Sequence, residues 1–169
     1  MSALLEYLIK RKDDRSLMAM LRCVLVESKR PRAWPILGQF GAIGNTHDAY
    51  TLQFIGGLFA THPEYSDSAG NIGNTCLLLC RHGKKPDEGE KPDKDEKPGP
   101  MAKRLQWLLA SEREEIGERV LRIVQMAKSK GYPINYAQLE KDFKYWGDGV
   151  KTEWAAAFWA PGAPKPEVD

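Results

Sequence analysis

The chain reads as all-α: about eight or nine helices packed as two helical bundles, with a disordered charged loop between helices. Three observations predict this. Apolar residues recur at three- and four-residue spacing along most of the chain, and nowhere do apolar and polar residues alternate as in a half-buried strand. Ser, Thr, Asp and Asn precede several apolar runs, and Gly or Pro follows them, as helix caps do. Apolar residues make up 42% of the 169, with five Trp, six Tyr and five Phe, so a real core can form.

SALLEYLIKRK predicts a first helix with Leu4, Leu5, Leu8 and Ile9 on one face. DDRSLMAMLRCVLVESK predicts a second, carrying Leu17, Met20, Leu21, Val24 and Leu25, with Asp13 and Asp14 favouring its N-terminus and Pro31 ending it. RAWPILGQFGA places Trp34, Leu37 and Phe40 three apart, a short helix with Pro35 in its first turn and Gly41 and Gly44 closing it. Thr46 is the expected cap of THDAYTLQFIGGLFATH. Its Gly56-Gly57 pair costs about 1 kcal/mol per glycine against Ala, which points to close helix packing. NIGNTCLLLCRHG is a further helical piece ending at Gly83.

From Lys84 to Gly99 there are five Lys, six Asp or Glu, three Pro, two Gly and no apolar residue. Nothing there offsets ordering entropy, so the segment is expected to be disordered, and its balanced charge makes it a poor recognition arm. Pro100 suits the first position of PMAKRLQWLLA. In SEREEIGERVLRIVQMAKSKG, Ser111 and Glu114 have capping-box spacing, the stripe is Ile116, Val120, Ile123, Val124 and Ala127, and Gly131 stops the helix. Asn135 and Gln138 box the start of NYAQLEKDFKYW, with Tyr136, Leu139, Phe143 and Trp146 inward. Asp148 opens the last helix, with Val150, Trp154, Ala157 and Phe158 inward. The expected division is 1–83 an N-terminal bundle, 84–99 the loop, 100–160 a C-terminal bundle and 161–169 a flexible tail.

Patterns for chemistry are sparse. GxxxxGK[ST], HExxH and GxSxG are absent, and no strand precedes GNIGN to make it a dinucleotide fingerprint. Cys76 and Cys80 share a helix face near His82, and His62 is a further donor, but Cys at apolar helical spacing reads first as core. His47 and Asp48 are adjacent on a helix and diverge, so they do not orient each other for proton transfer. No enzyme and no cofactor is expected. MSALLEYLIKRKDDR lacks a secretory pattern and no apolar run has the length of a membrane span, so a cytoplasmic, reduced protein is expected.

With 25 basic and 23 acidic residues the net charge is +2, so nucleic-acid binding must come from local arrangement. Lys10, Arg11, Lys12 and Arg15 crowd the first turn; Arg30 and Arg32 lie in KRPR. Lys103 and Arg104 open a helix with no acid in the preceding turn, a favourable phosphate site. Arg119 and Arg122 lie off the apolar stripe, although Glu115–Arg119 and Glu118–Arg122 also have ion-pair spacing. Lys141, Lys144 and Lys151 follow. On these patterns a nucleic-acid surface and a protein-binding scaffold are equal readings.

The order of motifs adds a resemblance to these two readings. MAKRLQWLLASEREEIGERVLRIVQMAKSKGYPINYAQLEKDFKYWGD followed by EWAAAFW resembles the small subunit of the type I-E CRISPR Cascade complex, the CasB family. RAWPILGQFGA and the helix ending LFATHP match less tightly, and the resemblance runs from about Trp34 to Trp159 without 84–99. It implies a non-catalytic, all-helical subunit present as a head-to-tail pair beside the backbone and large subunits. It implies a basic surface that holds the displaced DNA strand and stabilises the R-loop through phosphate contacts, with CRISPR RNA and target DNA as partners. No membrane and no small-molecule substrate is implied. Lys103, Arg104, Arg119 and Arg122 match the family's basic positions, Lys151 falls near a basic cluster, and Lys144, Arg30 and Arg32 are further expected contacts. GDGVK carries one Lys where the family has several basic residues, and Glu153 stands where Arg is common.

Overall fold

A computed structural model describes residues 1–84 and 98–162. Nine α-helices are formed among the described residues, with short 3-10 turns between several of them. The expected disorder of 84–99 and the expected flexible tail fall almost entirely outside the described residues.

Helix α1 (Ala3–Lys10) starts where the Ser2 hydroxyl accepts from the Leu5 amide. Asp14 caps α2 (Arg15–Arg22) through the Leu17 amide. The second helix is shorter than its sequence predicts. After Arg22 the chain tightens into 3-10 turns at Cys23–Leu25 and Glu27–Ala33, and Pro31 lies inside the second turn instead of ending a helix. Val26 is the break: its backbone is extended, at φ −117° and ψ 111°, the region β-branched residues favour. The Val24 carbonyl left by that break accepts from Arg30 Nε at 2.9 Å.

Helix α3 (Trp34–Leu37) is a single turn with Pro35 in its first positions, and Gly41 closes the following 3-10 turn at φ 67°. Leu37 is buried, whereas Trp34 is 43% exposed. Helix α4 (His47–Thr61) is capped by Thr46, as its sequence predicts, and is buried on nearly every side. It packs on α1 and α2 on one flank and on α7 and α8 on the other. The glycine pair serves that packing. A methyl on Gly57 would meet the Leu25 side chain at 3.0 Å, and one on Gly56 would meet Leu21 at 3.4 Å.

Asn71 and Asn74 form a reciprocal capping box that opens α5 (Ile72–Arg81). Helix α6 (Pro100–Leu109) has Pro100 in its first turn and no side-chain cap. Helix α7 (Ile116–Lys130) begins five residues after Ser111 and has no capping box, contrary to the sequence expectation. Ser111 is fully buried and its hydroxyl accepts instead from Arg119, a tertiary partner that outcompetes the local cap. Gly131 ends α7 at φ 73°. Asn135 caps α8 (Tyr136–Lys144) through the Gln138 amide, but the Gln138 side chain reaches forward to Asp142 and does not close the box. Helix α9 (Asp148–Trp159) follows.

Helix α5 crosses α9 closely at Gly73, where an added methyl would run into the Trp154 carbonyl. The loops before α5 and α8 are tied by a parallel bridge of Tyr65 and Ile134. Buried residues from Leu4 to Phe158 form one contiguous apolar cluster that takes in helices on both sides of the charged segment. Within it the Trp146 and Trp154 indoles meet edge to face at 4.9 Å between centroids. No helix among the described residues is long and apolar enough to cross a membrane.

Candidate nucleic-acid interface

Helix α6 buries Met101, Leu105 and Leu108 and carries no acidic residue. That stripe leaves Lys103 and Trp107 outward, one turn apart on one face, with Arg104 half-buried beside them. Arg104 faces α5 closely enough for its charge to act on the Cys76 thiol. Trp107 is 51% exposed.

Arg119 reaches across from α7. Its guanidinium lies 4.3 Å from the centre of the Trp107 ring. Nη2 pairs with Glu115 at 3.2 Å, while Nη1 donates to the Trp107 carbonyl at 3.1 Å and to Ser111 Oγ at 3.0 Å. The Glu115–Arg119 pair that the spacing allowed is therefore formed. Among the described residues Glu118 and Arg122 form no ion pair, and Arg122 stands exposed with no carboxylate in bonding range.

The turn between α6 and α7 is locked to the start of α9. Trp146 Nε1 donates to the Ser111 carbonyl at 3.0 Å, and Arg113 Nη2 donates to the Trp146 carbonyl at 3.2 Å. Lys151 Nζ lies 5.6 Å from the Trp146 ring centre, half-buried. Lys144 is exposed, 5.7 Å from the Tyr145 ring, and its carbonyl accepts from His47 Nε2 at 3.0 Å. Arg30 is half-buried with its guanidinium 5.8 Å from the Phe54 ring. It approaches the start of α7 through Tyr50, whose hydroxyl donates to the Glu114 carbonyl and accepts from the Gly117 amide. Arg32 is exposed on its 3-10 turn.

The structure thus gathers Arg119, Lys151 and Arg113 around the α6–α7 turn, with Lys103 one helical turn before Trp107. Arg32 is in none of these contacts. Sequence reasoning missed Trp107 and Arg113. Trp107 was legible as the one large apolar residue off the α6 stripe; Arg113 was hidden in an acidic run. A second cationic cluster joins Lys12 and Arg15, which the sequence places in a basic run, to Arg22 and Lys128, which it does not. Lys12, Arg15, Arg22 and Lys128 line an open cavity of about 340 Å³ beside the end of α4, with Asp13 as its one acid.

Among the described residues no three His, Cys, Asp or Glu side chains gather to hold a metal. Cys76 is buried, and burial pushes its thiol up to about 12 against the smaller opposing pull of Arg104. His62 donates to the Tyr132 carbonyl at 2.7 Å, and His82 hydrogen-bonds the Tyr132 hydroxyl at 2.7 Å. Both histidines are thus engaged with Tyr132. Asp142 is buried, and accepts from Trp154 Nε1 and Gln138 Nε2, each at 2.8 Å. Burial raises its pKa above the usual carboxylate value, partly offset by those two hydrogen bonds. It joins α8 to α9.

A family model described as CRISPR-associated protein Cse2 matches residues 17–159. No curated protein sequence matches the chain. Two solved structures share its fold. One is TTHB189, a CRISPR-associated protein of the Cse2 family from Thermus thermophilus, at 19% identity and a TM-score of 0.69. The other is CasB, also from Thermus thermophilus, at 20% identity and a TM-score of 0.67. Each comparison covers 94% of this chain and 99% of the other.

Proposed function

The chain belongs to the CRISPR-associated Cse2 family, and from that premise we propose that it is a non-catalytic small subunit of a type I-E Cascade complex in the cytoplasm. In this reading it binds nucleic-acid backbone through a basic surface and so stabilises the R-loop and the displaced DNA strand. Its partners are the backbone and large subunits, a second copy of itself, the CRISPR RNA and the target DNA. The guide reads sequence, so phosphate contacts suffice, and because strand exchange is nearly balanced a few of them tip it.

The observation that carries the reading is the cationic, acid-free outer face of α6, with Lys103 exposed and Arg104 beside it. Arg122, Lys144, Lys151, Arg30 and Arg32 are further proposed contacts. Arg119, already held by Glu115, contributes chiefly by positioning its neighbours. A salt titration with single-stranded DNA tests this. Log affinity is expected to fall linearly with log salt, and replacing Lys103, Arg104 and Arg122 by Ala to flatten the slope by about 0.7 for each phosphate no longer neutralised. An unchanged slope in a folded triple variant sinks the assignment. It would favour the second reading, a protein-binding scaffold, for which exposed Trp34, Leu78 and Trp159 are the supporting observation.

A further inference from the structure

Trp107 is an unusual surface residue because it is exposed yet braced. A half-exposed indole on a helix ordinarily has rotamer freedom, and ordering it costs entropy. Here the cost has been met by the fold. Arg119 covers one side of the ring at 4.3 Å. The guanidinium is itself fixed by the Glu115 carboxylate, the Trp107 carbonyl and the buried Ser111 hydroxyl. Ser111 is in turn held by the Trp146 indole through its carbonyl. A chain of partners from the core thus ends in one aromatic ring that remains 51% exposed.

We propose that Trp107 is a base-stacking platform, on which one unpaired base of a single-stranded nucleic acid lies while its phosphates run past Lys103 and Arg104. The proposal rests on the reading that this face binds a single strand, and adds a contact to the base. Three features favour a nucleotide over a protein occupant. The ring is already a cation–π partner, so a stacked base completes a guanidinium–indole–base sandwich. Lys103 lies one turn away on the same face, about 6 Å along the axis, within side-chain reach of a phosphate on the stacked nucleotide. Helix α6 has no acidic residue to repel that phosphate. Stacking accepts any base, which suits a subunit that leaves sequence to the guide.

The experiment separates stacking from charge. The full chain and its Trp107→Ala, Trp107→Phe and Lys103→Ala variants, each checked for native circular dichroism, are titrated with oligothymidine and with an abasic strand of equal length over a salt series. Trp107→Ala is expected to weaken oligothymidine binding roughly ten-fold at every salt concentration with its salt slope unchanged. Trp107→Phe should recover most of that loss, and on the abasic strand Trp107→Ala and the parent should bind alike. Lys103→Ala should lower the slope on both strands. Parental oligothymidine affinity in Trp107→Ala overturns the proposal. An equal loss on the abasic strand also overturns it. A slope response at Lys103 without a base-dependent effect at Trp107 sinks stacking alone, whereas no strand binding by the parent sinks the stacking and the phosphate reading together.

Discussion

Asp142 is the only buried carboxylate among the described residues, and both of its hydrogen-bond partners there are neutral donors. Its pKa is raised by burial, so its charged form is less favourable in the folded chain than in the unfolded one. Its contribution to stability is therefore fullest below the unfolded pKa and is lost as pH rises through the folded value. Asp142→Asn lacks that titration. The stability of the parent relative to Asp142→Asn should fall as pH rises above the ordinary carboxylate range, measured by urea unfolding at several pH values; a constant difference would refute the assignment. A single sequence does not announce such a residue, because Asp142 lies in a charged helix of ordinary composition. Lys103 was legible because α6 periodicity alone puts it outside the stripe. The Arg119–Trp107 stack was not, since it joins two helices across a turn whose path no local pattern gives.

Helix α5 illustrates how one position sets a crossing. Gly73→Ala pushes a methyl into the Trp154 backbone, which cannot step aside as a side-chain tip can. Overpacking of this kind costs about 2–3 kcal/mol, and the loss should appear as a lower urea midpoint with unchanged m-value. Gly149 in α9 is the contrast: nothing lies near a methyl added there. Gly149→Ala should stabilise by about 0.5 kcal/mol, through reduced freedom of the unfolded chain. At this scale the sequence was informative wherever a helix end is decided locally. Thr46, Asn135, Pro100 and Gly131 all stand where their chemistry predicts. It misled where tertiary partners take over. Ser111 is drawn away from a cap by Arg119 and Trp146, and α2 gives way after Arg22 to a 3-10 turn that breaks at Val26, where the freed carbonyl of Val24 finds Arg30.

At the scale of the whole chain, α4 is the shared member. One flank faces α1 and α2, the other α7 and α8, so neither side of the charged segment has a separate apolar interior. Disrupting either flank exposes the other's packing surface. The described helices are therefore expected to unfold in a single cooperative step, with coincident curves from helix content and tertiary probes. Two separated transitions would refute this. The Trp146–Trp154 pair supplies an optical probe of the second kind. Two indoles held 4.9 Å apart and 61° from coplanar are close enough for their transition dipoles to couple. The native chain should then show an ultraviolet circular dichroism couplet that Trp154→Phe removes. That couplet would report the packing of the α8–α9 connection against α9 without any added label.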